Sequence, residues 1–449
     1  MTDATAEGGA TPQRSSLLDL DERTKKRNAA EQRFKAYGIG AIAIGVIALL
    51  FLLVTIVFNG VSAFQQTFVT VEIELLEERL DPEGNRNPDE MRRVTTFGYN
   101  PLLEAAVANK IEALGLETEL SGGALRALLS GGSASQMRDA VLADPDLVGQ
   151  TVEFRFLASS RVDGYMKGRV TAETVERDRN FTPAHLELAV AMVERGTIEK
   201  RFNMAFITGA DASDNRPEQA GIGVSMIGSF FMMLVVLGLS LPIGVAASIY
   251  LEEFAPQNRF TDLIEVNISN LAAVPSIVFG ILGLAIFIQF AHLPQSAPLV
   301  GGLVLTLMTL PTIIISTRAS LKSVPPSIRA AALGLGASKM QAVFHHVLPL
   351  AMPGILTGTI IGLAQALGET APLLLIGMVG FIASNYPDGV ASGFLDPNSG
   401  MPAQIFEWAK RADPAFYERA WGGIIILLAF MLTMNILAII LRRRFERRW

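Results

Sequence analysis

The sequence predicts an all-α polytopic membrane protein with six transmembrane helices and a small α/β or α+β domain inserted after the first helix. Half of the 449 residues are apolar, only 18% are charged, and the mean hydropathy is +0.38. The apolar residues gather in runs long enough to cross a hydrocarbon core of about 30 Å. One polar stretch, of ordinary domain size, separates the first run from the second.

The segment before the first apolar run is polar and becomes basic towards its end. Residues 1–36 therefore predict a disordered cytoplasmic tail. The uncharged run 37–61 predicts the first transmembrane helix. A cleaved signal peptide is the alternative, because Val61, Ser62 and Ala63 resemble a cleavage site. It is disfavoured because the apolar core is too long and the leading tail too extended.

Charges return in residues 62–220, and the apolar periodicity becomes short. This pattern indicates a folded extracytoplasmic (periplasmic) domain of the α/β or α+β class. Its predicted strands are 70–75, 152–157 and 202–207, and its predicted helices are 102–114, 124–129, 135–143 and 183–195.

Five further apolar runs predict the remaining transmembrane helices. These runs are 221–250, 267–290, 298–317, 354–380 and 421–441. The basic tail, the basic loop 318–353 and the arginines of 442–448 all fall on one side in a six-helix topology. Because basic segments stay in the cytoplasm, both termini are predicted to be cytoplasmic, with loop 381–420 outside.

Loop 324–349 has the pattern of two short helices that meet at a glycine. Pro326 suits a first helical turn, and Gly336 can take the left-handed conformation that ends the helix. Ser338 can cap a second helix, which Pro349 and Pro353 are expected to stop. The apolar face of this second helix is Met340, Val343, Phe344 and Val347. The loop predicts a protrusion that enters a partner's groove, and the alternative is a generic amphipathic loop on the bilayer or other helices.

The run 354–380 carries small residues at four-residue spacing, which allow close packing of helices in lipid. These residues are Gly354, Gly358, Gly362 and Ala366. Gln365 and Glu369 are expected to project near that face, and Thr370 follows them. An ionisable residue in a membrane indicates a pathway or a pairing partner. Glu369 could orient a basic group that contacts an oxyanion, or hydrogen-bond a neighbouring helix. Arg318 is a candidate pathway residue, although an interfacial anchor is the favoured interpretation.

Two motifs resemble a known family. The order Ala330-Ala331-Ala332, Gly336, Leu348-Pro349 resembles the EAA coupling loop of ABC importer permeases, which docks on an ATPase subunit. Ala330 stands at the motif's glutamate position and His346 at its hydrophobic position. The segment Gly368 to Pro372, GETAP, resembles the PstA-type permeases of bacterial phosphate uptake systems. Members often carry an arginine where Gln365 stands. The resemblance covers the first helix and 221–449.

The resemblance implies the type I ABC importer permease fold over 221–449, in the bacterial inner membrane. It implies transport of inorganic phosphate with ATPase contacts from Ala330, Ala331, Ala332, Gly336, Phe344, Leu348 and Pro349. The implied partners are a PstC-like second permease, PstB-like ATPases and a PstS-like phosphate-binding protein.

No cofactor is expected on this chain, because no Gly-Lys-Ser or Gly-Lys-Thr phosphate loop occurs in it. ATP and Mg are therefore expected on the partner ATPase, and the chain is expected not to be an enzyme. With four histidines and no cysteine, no metal site is expected. The alternatives are a permease for sulfate, molybdate or phosphonate, a membrane sensor with a periplasmic domain, and a secondary transporter or channel.

Overall fold

The computed structural model describes residues 22–178, 180–378 and 386–445. The chain divides into two compact units, 1–56 and 57–449. The helices are α1 (Glu22–Gly60), α2 (Glu77–Leu80), α3 (Pro88–Met91), α4 (Thr96–Ala113), α5 (Gly123–Arg126), α6 (Ser133–Ala143), α7 (Ser160–Met166), α8 (Ala172–Glu176), α9 (Pro183–Glu194), α10 (Met204–Thr208), α11 (Gly223–Ile249), α12 (Arg259–Ala272), α13 (Ser276–Gly283), α14 (Pro298–Ser323), α15 (Pro326–Gly334), α16 (Lys339–Ala342), α17 (Leu348–Gly368), α18 (Ala371–Leu375), α19 (Val390–Leu395), α20 (Met401–Lys410) and α21 (Pro414–Phe445). Single π-helical segments occur at Tyr250–Phe254, Leu284–Phe290 and Val343–Val347, and 3₁₀ turns at Val61–Phe64, Pro145–Leu147 and Pro217–Gln219.

In the first unit, the helix begins well before the apolar run. Residues 22–36 are helical, so the prediction of disorder is wrong for this part of the tail. Good helix formers and the Lys35–Glu31 pair at i,i+4, 2.7 Å apart, extend the helix that the apolar run already forms. Residues 1–21, where the rest of the predicted tail falls, lie outside the described residues.

The inserted domain is built on a three-stranded antiparallel sheet with the order β2-β1-β3, which places it in the α+β class. The strands are β1 (Gln65–Glu74), β2 (Thr151–Leu157) and β3 (Ile198–Phe202). Helices α4, α6 and α9 occupy predicted helical stretches and share one apolar core with the sheet.

Two predicted elements of this domain are wrong. The strand predicted at 202–207 ends at Phe202, because the Asn203 side chain accepts a hydrogen bond from the Phe206 amide (3.1 Å) and caps α10. The helix predicted at 124–129 ends at Arg126, since Leu129 forms a β-bridge with Ala158. Both outcomes depend on local capping or a distant partner, which periodicity does not show.

Five helices in the described ranges are long and apolar enough to cross a membrane, and a sixth candidate is broken. The broken candidate is α12 with α13 and its π-helical extension, bent by 101°. The span predicted over 267–290 therefore consists of two helices joined at a sharp bend. Pro275 precedes α13 and lacks the amide that a continuous helix requires.

Helix α17 also differs from the predicted span 354–380. A continuous helical stretch runs from Lys339 to Gly368, so Pro349 and Pro353 do not stop it. The π-helical segment Val343–Val347 lies just before Pro349, and a local π adjustment of this kind allows a membrane helix to continue past a proline. The helix ends at Gly368, and 379–380 lie outside the described residues.

The small-residue face of α17 packs against α14. A Cβ on Gly354 or Gly358 would overlap the side chain of Ser320 or Ser316, whereas one on Gly362 would meet Ile313 at 3.5 Å, an ordinary contact. The close approach is thus concentrated in the first half of α17.

Buried charges join the inserted domain to the start of α21. Lys167 Nζ lies 2.8 Å from both Asp163 Oδ2 and Glu418 Oε1. Burial lowers the pKa of Lys167, and the two carboxylates only partly offset it. Burial opposes ionisation of Asp163, but Lys167 and nearby arginines outweigh it and hold its pKa below the ordinary value. Arg419, fully buried, donates to the Ala63 carbonyl at 2.8 Å.

A second junction lies beside the first. Arg411 Nη2 contacts Asp211 Oδ2 at 2.6 Å, and the Trp408 indole donates to Asp211 Oδ1 at 2.7 Å. Charges at this junction and at the first one are therefore paired or hydrogen-bonded, as burial requires.

Candidate coupling surface and transport pathway

The turn between α15 and α16 is fixed by backbone and side-chain hydrogen bonds. Gly336 has φ +86°, which confirms the predicted left-handed end of the helix. The amides of Gly336 and Ala337 donate to the carbonyls of Leu333 and Ala332 at 3.0 and 3.1 Å. Ser338 then caps α16 by accepting from the Gln341 amide at 3.2 Å. The turn is therefore a defined protrusion.

Apolar side chains on this protrusion are exposed. Leu335 is 91% exposed, Met340 57% and Phe344 42%. We call Ala330, Ala331, Leu333, Leu335, Gly336, Met340 and Phe344 the coupling surface, since all are exposed. Exposed apolar side chains therefore lie on both sides of the turn at Gly336.

The predicted four-residue apolar face divides into two. Val343 and Val347 are buried against neighbouring helices, while Met340 and Phe344 face outwards. Among the predicted coupling residues, Ala332 is packed and Leu348 and Pro349 are half-buried. The predicted contact of these three residues with an ATPase stays a prediction.

The predicted pathway residues lie at the end of α17. Gln365 is exposed, whereas Ala366, the next residue of α17, is buried. Because the helix ends at Gly368, Glu369 is the half-buried C-cap residue, and Thr370 precedes α18. Glu369 therefore lies beyond the helix and not on its small-residue face, and the pathway role of Gln365 and Glu369 stays a prediction.

Helices α13 and α18 pack against each other, and each of them follows a break in the helix before it. α18 follows the break at 369–370, and α13 follows the break at 273–275. A Cβ on Gly280 of α13 would lie 2.7 Å from Pro372 Cα of α18, so the two backbones touch. In the described part of the chain, the Glu369 carboxylate has no ion-pair partner.

Arg318 forms ion pairs with two carboxylates. Its Nη2 lies 2.6 Å from Glu265 Oε1 on α12, and its Nε lies 3.3 Å from Glu252 Oε2. The residue is mostly buried against these partners, and whether it is an interfacial anchor or a pathway residue stays a prediction. In this structure its guanidinium is also not free to bind an anion.

The sequence reasoning missed a group of charges around the coupling loop. Arg329 donates to Glu253 from Nη2 at 2.6 Å and from Nε at 3.0 Å. It also donates to the carbonyls of Leu321 and Val324 at 2.9 and 2.8 Å. The available signal was the Glu252-Glu253 pair directly after an apolar run, where acidic residues need partners.

Among the described residues, no group of three or more histidine, aspartate or glutamate side chains is placed to hold a metal ion. His345 and His346 of the predicted coupling region are both exposed.

Sequence comparison shows the class of protein to which these membrane helices belong. Residues 240–449 match the model of the binding-protein-dependent transport system inner membrane component family. Residues 21–176 match a domain of unknown function, DUF3333. The chain belongs to the binding-protein-dependent transport permeases, and it is therefore a multi-pass membrane protein.

Several curated relatives are similar to this chain. The Bacillus subtilis protein named Probable ABC transporter permease protein YqgI is 34% identical over 155 residues, 34% of this chain and 52% of that protein. The phosphate transport system permease protein PstA 1 of Mycobacterium tuberculosis H37Rv is 31% identical over 228 residues, 50% of this chain and 71% of that protein. The phosphate transport system permease protein PstA of Haemophilus influenzae is 30% identical over 221 residues, which are 49% of this chain and 74% of that protein. The chain thus spans about half the length of YqgI.

Proposed function

We propose that this chain is the permease subunit of an ATP-driven importer of inorganic phosphate. The observation that carries the transport mechanism is the exposed coupling surface on a rigid turn. Support for phosphate comes from the similarity to proteins named PstA and from the GETAP segment.

The coupling surface has the properties of a docking site for an ATPase subunit. Its apolar side chains surround a turn held by Gly336 and the Ser338 cap, so docking costs little ordering entropy. ATP and Mg would bind to the PstB-like partner, leaving this chain without catalytic residues or a cofactor of its own. Closure of the ATPases would then displace α15 and the helices attached to it.

The pathway is proposed to run beside the end of α17. Gln365, Glu369 and Thr370 lie at a helix break, where polar backbone and side chains can face a passage. Glu369 would not bind phosphate directly, because like charges repel. Its proposed role is to orient donors, and a PstC-like second permease would supply the basic groups that Gln365 does not.

The orientation follows from the distribution of charge. Arg329, Lys339 and the arginines of 442–444 are proposed to be cytoplasmic, together with both termini. The inserted domain then lies outside the inner membrane. Its buried ion pairs with α21 fix it to the transport domain, where it would shape the docking surface for a PstS-like phosphate-binding protein.

Uptake of labelled phosphate at low concentration tests the proposal in cells that lack this protein. Wild type should restore uptake, and excess sulfate or molybdate should not reduce it. Glu369→Gln should lower uptake at unchanged membrane level, while the control Glu407→Gln, a surface residue paired with Lys410, should not. If sulfate or molybdate blocks the restored uptake, the assignment of phosphate as the substrate would be contradicted and a different oxyanion indicated.

A further inference from the structure

A single guanidinium joins three elements at the base of the coupling surface. Arg329 lies on α15, its acceptor carbonyls at Leu321 and Val324 end α14, and Glu253 lies in the π-helical turn after α11. Arg329 is also the one charged residue within the sequence of α15. All ionic attachment of α15 to the membrane helices in the described residues therefore passes through it.

The contacts continue on the other side of the same turn. Glu252 is adjacent to Glu253 and pairs with Arg318 of α14, which in turn pairs with Glu265 of α12. We call Arg329, Glu253, Glu252, Arg318 and Glu265 the charged link. It forms a continuous series of contacts from α15 through the end of α11 and α14 to α12.

The first ion pair of the charged link, Arg329–Glu253, is largely buried, so breaking it would cost free energy. The Glu253 side chain is only 7% exposed, and Arg329 donates hydrogen bonds to it at 2.6 and 3.0 Å. A buried carboxylate is stable only while it is paired, so a displacement of α15 either carries Glu253 with it or leaves a charge unpaired. Rigid displacement is the lower-energy outcome.

The far end of the link reaches the proposed pathway. α12 is the first half of the broken helix pair, and α13, its second half, packs directly on α18 next to Glu369. A movement of α12 therefore has a packed route to the helix break that borders the pathway. Such a series carries coupling when its members move as one body.

We propose that the Arg329–Glu253 pair is the positioning contact that transmits displacement of the docked coupling surface to α11 and, through Arg318, to α12. The inference rests on the proposed ATPase docking and adds a residue pair outside the coupling surface. Arg329 and Glu253 act on transport through other residues and do not contact phosphate.

The test uses the full chain assembled with its second permease and ATPase subunits. Glu253→Gln keeps the shape of the side chain and leaves the two carbonyl contacts of Arg329 available, but removes the charge. The expected result is unchanged co-purification of the ATPase, with labelled phosphate uptake per assembled complex reduced about threefold to thirtyfold. Basal ATP hydrolysis should persist, while its stimulation by phosphate-loaded binding protein falls.

Three further variants make the result specific. Arg329→Lys keeps the charge and loses the forked geometry, so uptake should be intermediate. Arg329→Glu combined with Glu253→Arg should recover part of the uptake lost in Glu253→Gln. Lys322→Gln is the control, because Lys322 is exposed and lies 3.6 Å from Glu252. Its uptake should match wild type.

Uptake in Glu253→Gln equal to wild type would overturn the proposal. So would a loss of ATPase co-purification in proportion to uptake, because Arg329 and Glu253 would then support docking itself. If wild type neither retains the ATPase nor takes up phosphate, the proposed function fails first, so the two failures are distinguishable.

Discussion

Replacing Lys167 by methionine tests whether buried charges fasten the inserted domain to α21. The Lys167 side chain is 3% exposed and lies 2.8 Å from carboxylate oxygens of Asp163 and Glu418. Methionine retains much of the side-chain volume and removes the positive charge that these two buried carboxylates share. The junction should therefore open more often.

The magnitude follows from the remaining partners. Removing one member of a buried ion pair costs about 3–5 kcal/mol. Arg169 still contacts both carboxylates in the variant, so we expect the lower end, about 3 kcal/mol. Since about 1.4 kcal/mol corresponds to a factor of ten, the open fraction of the junction should rise about 100-fold.

Cysteine labelling measures that fraction, because the chain has no cysteine of its own. A single cysteine at buried Ala420, beside Arg419 on α21, should react with a membrane-impermeant maleimide only when the junction opens. When reclosing is fast, the labelling rate follows the open population. Lys410→Met is the control, since Lys410 is half-exposed and pairs with Glu407 on the surface.

A rise of less than about threefold in the labelling rate would refute the reasoning, because it corresponds to well under 1 kcal/mol. An equal rise in Lys410→Met would also refute it, since loss of any nearby positive charge would then be sufficient.

Gly336→Ala should cost about 1–2 kcal/mol in the coupling turn, because a Cβ disfavours φ +86°; ATPase co-purification should fall, while Gly334→Ala, in a helical site with open space, should leave it unchanged. Gly358→Leu should lower the thermal midpoint of the detergent-solubilised protein, because the side chain would overlap Ser316 and overpacking costs about 1–3 kcal/mol. Glu218→Gln should raise that midpoint at neutral pH, because burial raises the pKa of Glu218. A raised pKa gives stability that is complete below the unfolded value, about 4.3, and is lost as pH rises through the folded pKa, so the difference should vanish in acid.

Each of these predictions has a contrary result. Equal co-purification with Gly336→Ala and Gly334→Ala would show that the left-handed residue does not shape the docking turn. An unchanged midpoint in Gly358→Leu would mean that α14 and α17 can separate without cost. A midpoint of Glu218→Gln that lies below wild type at neutral pH would show that the hydrogen bond from Ser130 matters more than burial.

Local chemistry explains most of what could be predicted. Runs of apolar residues gave the approximate positions of the membrane helices, because length and hydropathy need no knowledge of neighbours. Gly336 and Ser338 gave the coupling turn for the same reason, since each acts on backbone atoms within a few residues. Apolar alternation placed β1 and β2 within the inserted domain.

The proposed pathway was harder to place. Pro275 was a local signal for the bend before α13 that the hydropathy of the run masked, and the end of α17 at Gly368 lies where α18 packs on α13. Glu369 is therefore a C-cap residue, although the sequence predicted it on a helix face. Gln365 is exposed, which periodicity within one helix does not show.

The sequence by itself determined the class of protein, the inserted domain and the coupling turn, since these depend on composition and on interactions within a few residues. Only the tertiary structure decided which charges meet. Arg329 and Glu253 are 76 residues apart, and Lys167 and Glu418 are 251 apart. Pairing at such separations depends on how helices pack, and a buried charge selects its partner only after packing has excluded water.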